Sequence, residues 1–400
     1  QEGYAMIGHG GDSSDAQGTG FDGNVSVTAT TGDIVLTSNT PAGSGGNRTF
    51  AKIGHGGYVS AAADYSGNVT ATATAGSILG TAGVDGNNNY VQIGHGGIAN
   101  HATTGHTGTI NVLAANDITF TGGIDNAGAA GNDREFAMIG HGGANSDGNH
   151  SGNVTVEAGT DGTGSVTFQA GNIRGTTEGP FAQIGHGGQS HNGDLGGNIS
   201  VTAATDISML GGIATDGAYA QIGHGGRSAK GDRTGTISAT ATNGKVDVIA
   251  GLNNNNYAQI GHGGHEGDFT GATGGTTAAE TITVTAGTTI NVVGAQTDAD
   301  VIDGIANGAA QSYAQIGHGG QYADGNHLAT ITVNAGTDLA VTAGLSNQTY
   351  AQIGHGGLFN GGGGKGNQAG DIDIDAGGDI SVAGGVRERA YAQIGHGGFD

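Results

Sequence analysis

The run Ile-Gly-His-Gly-Gly occurs ten times in this chain of 400 residues, and nothing else in it restricts the fold so tightly. The copies centre on His9, His55, His95, His141, His186, His224, His262, His318, His355 and His396, at intervals of 46, 40, 46, 45, 38, 38, 56, 37 and 41 residues. A catalytic site brings different residues to one place, whereas this chain repeats one constellation along its length. A fixed motif separated by drifting intervals is the mark of a stacked repeat, whose insertions leave the stack as loops.

Each interval has the same internal order. After Gly-Gly comes a variable polar segment, then a run such as Asn24 to Ala29, Asn68 to Ala73 or Thr281 to Ala286. A Gly/Asp turn leads to a second run, as in Asp33 to Leu36, Asp117 to Phe120, Asp206 to Met209 and Asp379 to Val382. A second variable segment then delivers the chain to the motif. All three runs alternate with period two and favour β-branched residues, so they predict strands with one buried face. No helical periodicity of useful length competes.

Three strands per repeat predict an all-β chain, a parallel β-solenoid (β-helix) of about ten coils of 37 to 56 residues. The common chirality of parallel crossovers makes it right-handed. Equivalent strands would pair about 4.8 Å apart, around a narrow core that in the first coil comprises Val25, Val27, Ala29, Ile34, Leu36, Ala51 and Ile53. A β-propeller is the rival at this period, but it needs four strands per blade and fewer blades. Residues 1–400 read as a single repeat body. Neither end carries an atypical capping stretch, so the expectation is an internal segment of a longer protein or fibre, with coils stacking on further coils or on another copy end to end.

Composition narrows the function. With 88 Gly, two Pro and no Cys, the chain has neither a disulfide framework nor thiolate metal sites. A formal charge of −23 repels the phosphate backbone and argues against nucleic-acid binding. No apolar run of membrane-spanning length is present, so no membrane insertion is expected.

The phrasing Gly-Asn-Val-x-Val-x-Ala at Gly152 to Ala158, with Gly-Asp-Ile-x-Val-x-Gly-Gly at Gly378 to Gly385, resembles the secreted β-solenoid adhesins of bacteria, the filamentous-haemagglutinin type and related autotransporter passenger regions. The resemblance spans the chain as a pattern, although the motif is not a hallmark of those proteins and their repeat is shorter. It implies an extracellular or cell-surface rod serving adhesion or matrix assembly, with host or matrix glycans and proteins as partners.

The motif contains three ladders. Ten stacked histidines would stand about 5 Å apart, near enough for neighbours to share zinc or copper, which makes a metal-binding repeat protein the alternative function. Against it, each motif supplies one His between glycines, and a tetrahedral site wants three or four ligands. The structural reading has His filling a corner and bonding backbone carbonyls, while the glycines supply positive φ or close approach. The first position is always aromatic, in Tyr4, Phe50, Tyr90, Phe136, Phe181, Tyr219, Tyr257, Tyr313, Tyr350 and Tyr391. Because Phe and Tyr interchange, its expected role is stacking. The third position is Gln92, Gln183, Gln221, Gln259, Gln315, Gln352 and Gln393, interrupted by Met6, Lys52 and Met138. In-register amides predict an amide-to-amide ladder along the axis.

Weaker signals lie outside the motif. Outward Ser26/Thr28, Thr70/Thr72, Ser200/Thr202, Ser238/Thr240 and Thr283/Thr285 look like the arrays of ice-binding proteins, but Asn111/Leu113, Thr155/Glu157 and Asp373/Asp375 interrupt them. Oxygen-rich loops at Asp85 to Asn89 and Asn253 to Asn256 would suit calcium in a matrix protein. Polysaccharide-acting enzymes use β-helices too. A catalytic site should stand out once against the repeat, and none does, so no enzyme is expected. The places where one would hide are the loop Gly263 to Glu280 and the six non-motif histidines, His101, His106, His150, His191, His265 and His327, which read as exposed loop residues.

Overall fold

The computed structural model describes residues 2–12, 20–38, 48–61, 63–83, 88–123, 134–172, 179–213, 216–267, 280–296, 310–358 and 365–399. Among these there is no helix. The chain is an all-β parallel solenoid.

Three long sheets run its length, each built from one strand per interval paired in sequence order. The motif sheet has ten strands, from Glu2–Ile7 to Tyr391–Ile394. Two sheets of nine hold the first-run strands, from Val25–Ala29 to Ile372–Ala376, and the second-run strands, from Ile34–Thr37 to Ile380–Ala383. Like meets like at every step: Ile199 pairs with Ile237, Val201 with Ala239 and Ala203 with Ala241. Even across the 56-residue interval, Tyr257 pairs with Tyr313 and Ile260 with Ile316. Period-two burial fixes this register, since a slip of one residue would turn every apolar side chain outward.

The main core lies between these three sheets. It is filled by Ile, Val and Ala, with Phe120, Phe168 and Met209 where the second strands allow more volume. Full burial of each large aliphatic side chain contributes roughly 1.5–3 kcal/mol relative to exposure.

The motif sheet is buried on both faces. First-run strands alternate buried and exposed positions, as in Ile199–Ala203, but Tyr219–Ile222 is buried throughout. Its Ala and Ile side chains enter the main core, while its aromatics enter a second cluster with Tyr58, Ile98, Ala144 and Leu358. Those last four residues each follow a Gly-Gly pair. The chain therefore folds back after the motif and covers the aromatic face.

Three strands per coil is accordingly incomplete. The returning segment forms a three-stranded sheet of Gly10–Asp12, Gly56–Ala61 and Gly96–His101, and a six-stranded column of two-residue strands from Phe21–Asp22 to Arg233–Thr234. The two-residue pieces are too short to show alternation in the sequence, and they stand as strands through pairing with their counterparts in neighbouring coils.

Candidate functional site: the stacked Gly-His-Gly turn

The turn after each motif strand begins with glycine for a spatial reason. Gly185 has a φ of 137°, and a Cβ built on it would collide with the carbonyl oxygen of Gly223 in the next coil. Gly187, at φ 101°, would set a Cβ 3.1 Å from the Gly225 carbonyl oxygen of the next coil as well as against Leu195. Backbones of successive coils thus touch on either side of His186.

This close approach stacks the imidazoles. Neighbouring ring centroids are 4.7 Å apart for His141 and His186 and 5.1 Å apart for His9 and His55, with the other steps in between. At all nine steps the backbone N–H of one histidine donates to Nδ1 of the next, as from His186 to His224 at 2.9 Å. An Nδ1 that accepts carries no proton, so the proton sits on Nε2. That Nε2–H donates to a carbonyl just before the first-run strand: Gly67 for His95, Gly152 for His186, Gly197 for His224 and Gly370 for His396, each at 2.8 Å. His55, His141, His262 and His355 do the same to Gly23, Gly108, Gly235 and Ala329.

Burial holds these rings neutral. It pushes His95 and His355 down to about 3 and His186 and His262 to about 4, and it lowers His141, His224 and His318 well below the ordinary value of 6.5. Neighbouring histidines add repulsion at several rows, as His186 and His262 do for His224. From His55 to His396 the Nδ1 lone pair is used and Nε2 carries the proton, so these rings present no free lone pair to zinc or copper. Among the described residues, no three His, Cys, Asp or Glu side chains are grouped to hold a metal ion.

The glutamines do not form the expected amide-to-amide ladder. Gln221 Nε2 donates to the carbonyls of Gly261 and Gly263 in the next coil at 2.9 and 3.1 Å, and Gln183, Gln259, Gln315 and Gln352 repeat the arrangement. The histidines explain why. His224 pairs in register with His262, and a parallel ladder would send the His224 N–H to the Gly261 carbonyl. The His262 ring takes that N–H instead, which leaves the carbonyl for Gln221. Two side chains thus replace one backbone bond. The sequence signal was a glutamine three residues before each histidine from His186 onward, which amide stacking alone did not decode.

Lys52 occupies the glutamine position of its coil and is buried, donating to Gln92 Oε1 at 2.7 Å and to the Gly96 carbonyl at 2.6 Å. Burial lowers its pKa well below the usual 10.5. The aromatic ladder is as expected, with ring centroids 4.7 to 5.0 Å apart from Tyr4 to Tyr391.

The non-motif histidines correct the reading of exposed loop residues. Only His101 is exposed, paired with Asp147 at 2.5 Å, whereas His106, His150, His191, His265 and His327 are buried. The segment carrying them is the inner wall that covers the motif sheet. His106 and His150 stack at 4.5 Å in the column of two-residue strands, and Tyr65 N–H and His106 N–H donate to the next Nδ1 at 3.2 and 3.0 Å.

The remaining candidates stay apart from one another. Thr70, Thr72, Thr283 and Thr285 point outward and are partly exposed, Asp373 and Asp375 are exposed, and Glu157 is half-buried. In the Asn253 to Asn256 loop, the Oδ1 atoms of Asn253, Asn254 and Asn256 accept backbone N–H groups of Asn254, Ala310 and Ala218. Residues 84–87 and 268–279, with Asp85 and most of the long loop, lie outside the described residues. No family model, curated protein or solved structure matches the chain.

Proposed function

We propose that the chain is a structural and adhesive segment of an extracellular or surface-displayed bacterial fibre, and that its motif is devoted to stacking coils. One observation carries this reading: the histidine rings and glutamine amides complete the backbone ladder between coils, leaving no repeated reactive group. What remains for contact with other molecules is the polar outer face of the first-run sheet and the variable loops. A rod that shows loops of differing length on a constant core suits adhesion to glycans or matrix proteins, and the same core continues through further coils or further copies. Among the described residues catalysis has no singular cluster to support it.

The test has two parts. Beads coated with the purified chain should bind a panel of matrix proteins and glycans more than beads coated with a similarly acidic globular protein, and equal binding refutes the adhesive role. Elemental analysis should find no zinc or copper in proportion to the motifs, whereas one ion per one or two motifs overturns the structural assignment of the histidines in favour of a metal-binding protein.

A further inference from the structure

The first and third positions of the motif are not independent. Gln183, Gln221, Gln259, Gln315 and Gln352 are each followed, one coil later, by a tyrosine: Tyr219, Tyr257, Tyr313, Tyr350 and Tyr391. Met6 and Met138 are each followed by a phenylalanine, Phe50 and Phe181. Gln92 is followed by Phe136, and Gln92 is the glutamine whose carbonyl already accepts from Lys52.

Geometry gives this pattern a cause. Tyr391 donates its hydroxyl to Gln352 Oε1 in the preceding coil at 3.4 Å. Within the described residues, the hydroxyls of Tyr219, Tyr257, Tyr313 and Tyr350, and Oε1 of Gln183, Gln221, Gln259 and Gln315, are buried with no partner at ordinary hydrogen-bond length. Each amide nitrogen is committed to glycine carbonyls of the next coil, so its oxygen is held toward that coil's aromatic. Backbone N–H groups of Arg227, His265, Gln321 and Leu358 approach the oxygens of Tyr219, Tyr257, Tyr313 and Tyr350, so the phenol protons are what lack an acceptor. A row of orphan donors faces a row of orphan acceptors, and leaving both unmade is costly in a dry interior.

We propose that the aromatic of each coil and the third-position residue of the coil before it form a donor–acceptor code that selects which coil stacks on which. A free glutamine carbonyl calls for tyrosine. A methionine, or a glutamine already satisfied by lysine, calls for phenylalanine. Three long sheets of near-identical strands otherwise resist a shift by one whole coil only weakly, and a buried polar match supplies the missing discrimination. Tyr90, which follows Lys52, lacks such an acceptor and is the internal control. The inference does not depend on the adhesive reading.

A double-mutant cycle on the full chain tests it. Tyr257→Phe should lower the folding equilibrium constant about five- to tenfold in the native background, as read from denaturant unfolding. In a Gln221→Met background, which recreates the Met138 and Phe181 pair, the same change should be neutral or stabilising. Tyr90→Phe should likewise cost nothing. Phenylalanine already occupies three rows of this ladder, so these variants are expected to fold. An equal loss for Tyr257→Phe in both backgrounds, or an equal loss at Tyr90, overturns the code.

Discussion

Two columns of stacked histidines run through this molecule, and only one of them repeats in the sequence. In the motif column eight of the ten rings have both nitrogens bonded to backbone, at Nδ1 to the preceding histidine N–H and at Nε2 to a carbonyl across the core, while His318 makes the Nδ1 bond and has a buried Nε2 without a partner. In the side column His106 and His150 make the Nδ1 bond, but their Nε2 atoms are buried without a partner. The equivalent places in neighbouring coils hold Phe21, Tyr65, Leu195 and Arg233. Identity is thus held at a buried position when two directional bonds require one side-chain shape. One bond plus stacking leaves the position open to any residue of suitable bulk.

Acid should produce the largest effect, and it acts on both columns together. The folded pKa values lie below the unfolded value of about 6.5, so the unfolded chain takes up protons first as pH falls. Stability from neutral histidines is therefore full above pH 6.5 and lost toward the values near 4 and 3 of His186, His262, His95 and His355. One unit below 6.5 each of the seven deeply lowered rings, His95, His141, His186, His224, His262, His318 and His355, forfeits about 1.4 kcal/mol, and together they forfeit on the order of 10 kcal/mol, comparable to the whole stability of a domain. Circular dichroism across pH 7 to 4 should show cooperative loss of β structure; an intact fold at pH 4 would mean that the rings are not held neutral.

Glycine substitutions separate the columns next. Gly185→Ala forces a Cβ into the Gly223 carbonyl at positive φ and should cost more than about 4 kcal/mol. Gly196→Ala in the side column meets only the Thr234 hydroxyl and should cost less than about 1 kcal/mol. Comparable thermal shifts for the two would remove the distinction drawn between tight and permissive columns.

Replacing the rings sharpens the comparison further. His186→Leu leaves the His141 N–H and the Gly152 carbonyl unpaired and should cost about 2–4 kcal/mol, while removing one proton's share of the acid sensitivity. His150→Leu copies Leu195 of the next coil and abolishes an unsatisfied Nε2 but leaves the His106 N–H unpaired, and should cost about 1–2 kcal/mol, less than His186→Leu. The smallest expected effect is a gain. Val59 holds a φ of 47°, a conformation hostile to β-branched residues, so Val59→Gly should stabilise by about 0.5–1 kcal/mol in denaturant titration.

Periodicity made the three long sheets legible, since alternation of residues such as Val69, Ala71 and Ala73 is imposed by burial on one side. The histidine ladder was legible as a row, and its glycines as close approaches. The fold-back over the aromatics was not, because Tyr58, Ile98, Ala144 and Leu358 share neither size nor pattern. Nor was the partnership of His262 with Gln221 at the Gly261 carbonyl. Sequence spacing places residues on faces, but which atom takes which lone pair depends on distances that only the closed coil sets.

The direction of the ladder bonds has a final consequence. From His9 to His355 each motif histidine N–H gives to the ring of the coil that follows it, and the amides of Gln183, Gln221, Gln259, Gln315 and Gln352 also give forward. For these bonds the stack has a sense, like a one-way thread: its leading face offers the histidine and glutamine donors and its trailing face the rings and glycine carbonyls that receive them, while backbone N–H groups such as those of Gly225 and Gly263 give backward. Two leading faces brought together would leave the histidine N–H and glutamine amide donors of each without the imidazole and glycine acceptors they meet in the native order. Growth of such a body, by whatever coil comes next, is vectorial, and a fibre built on it points.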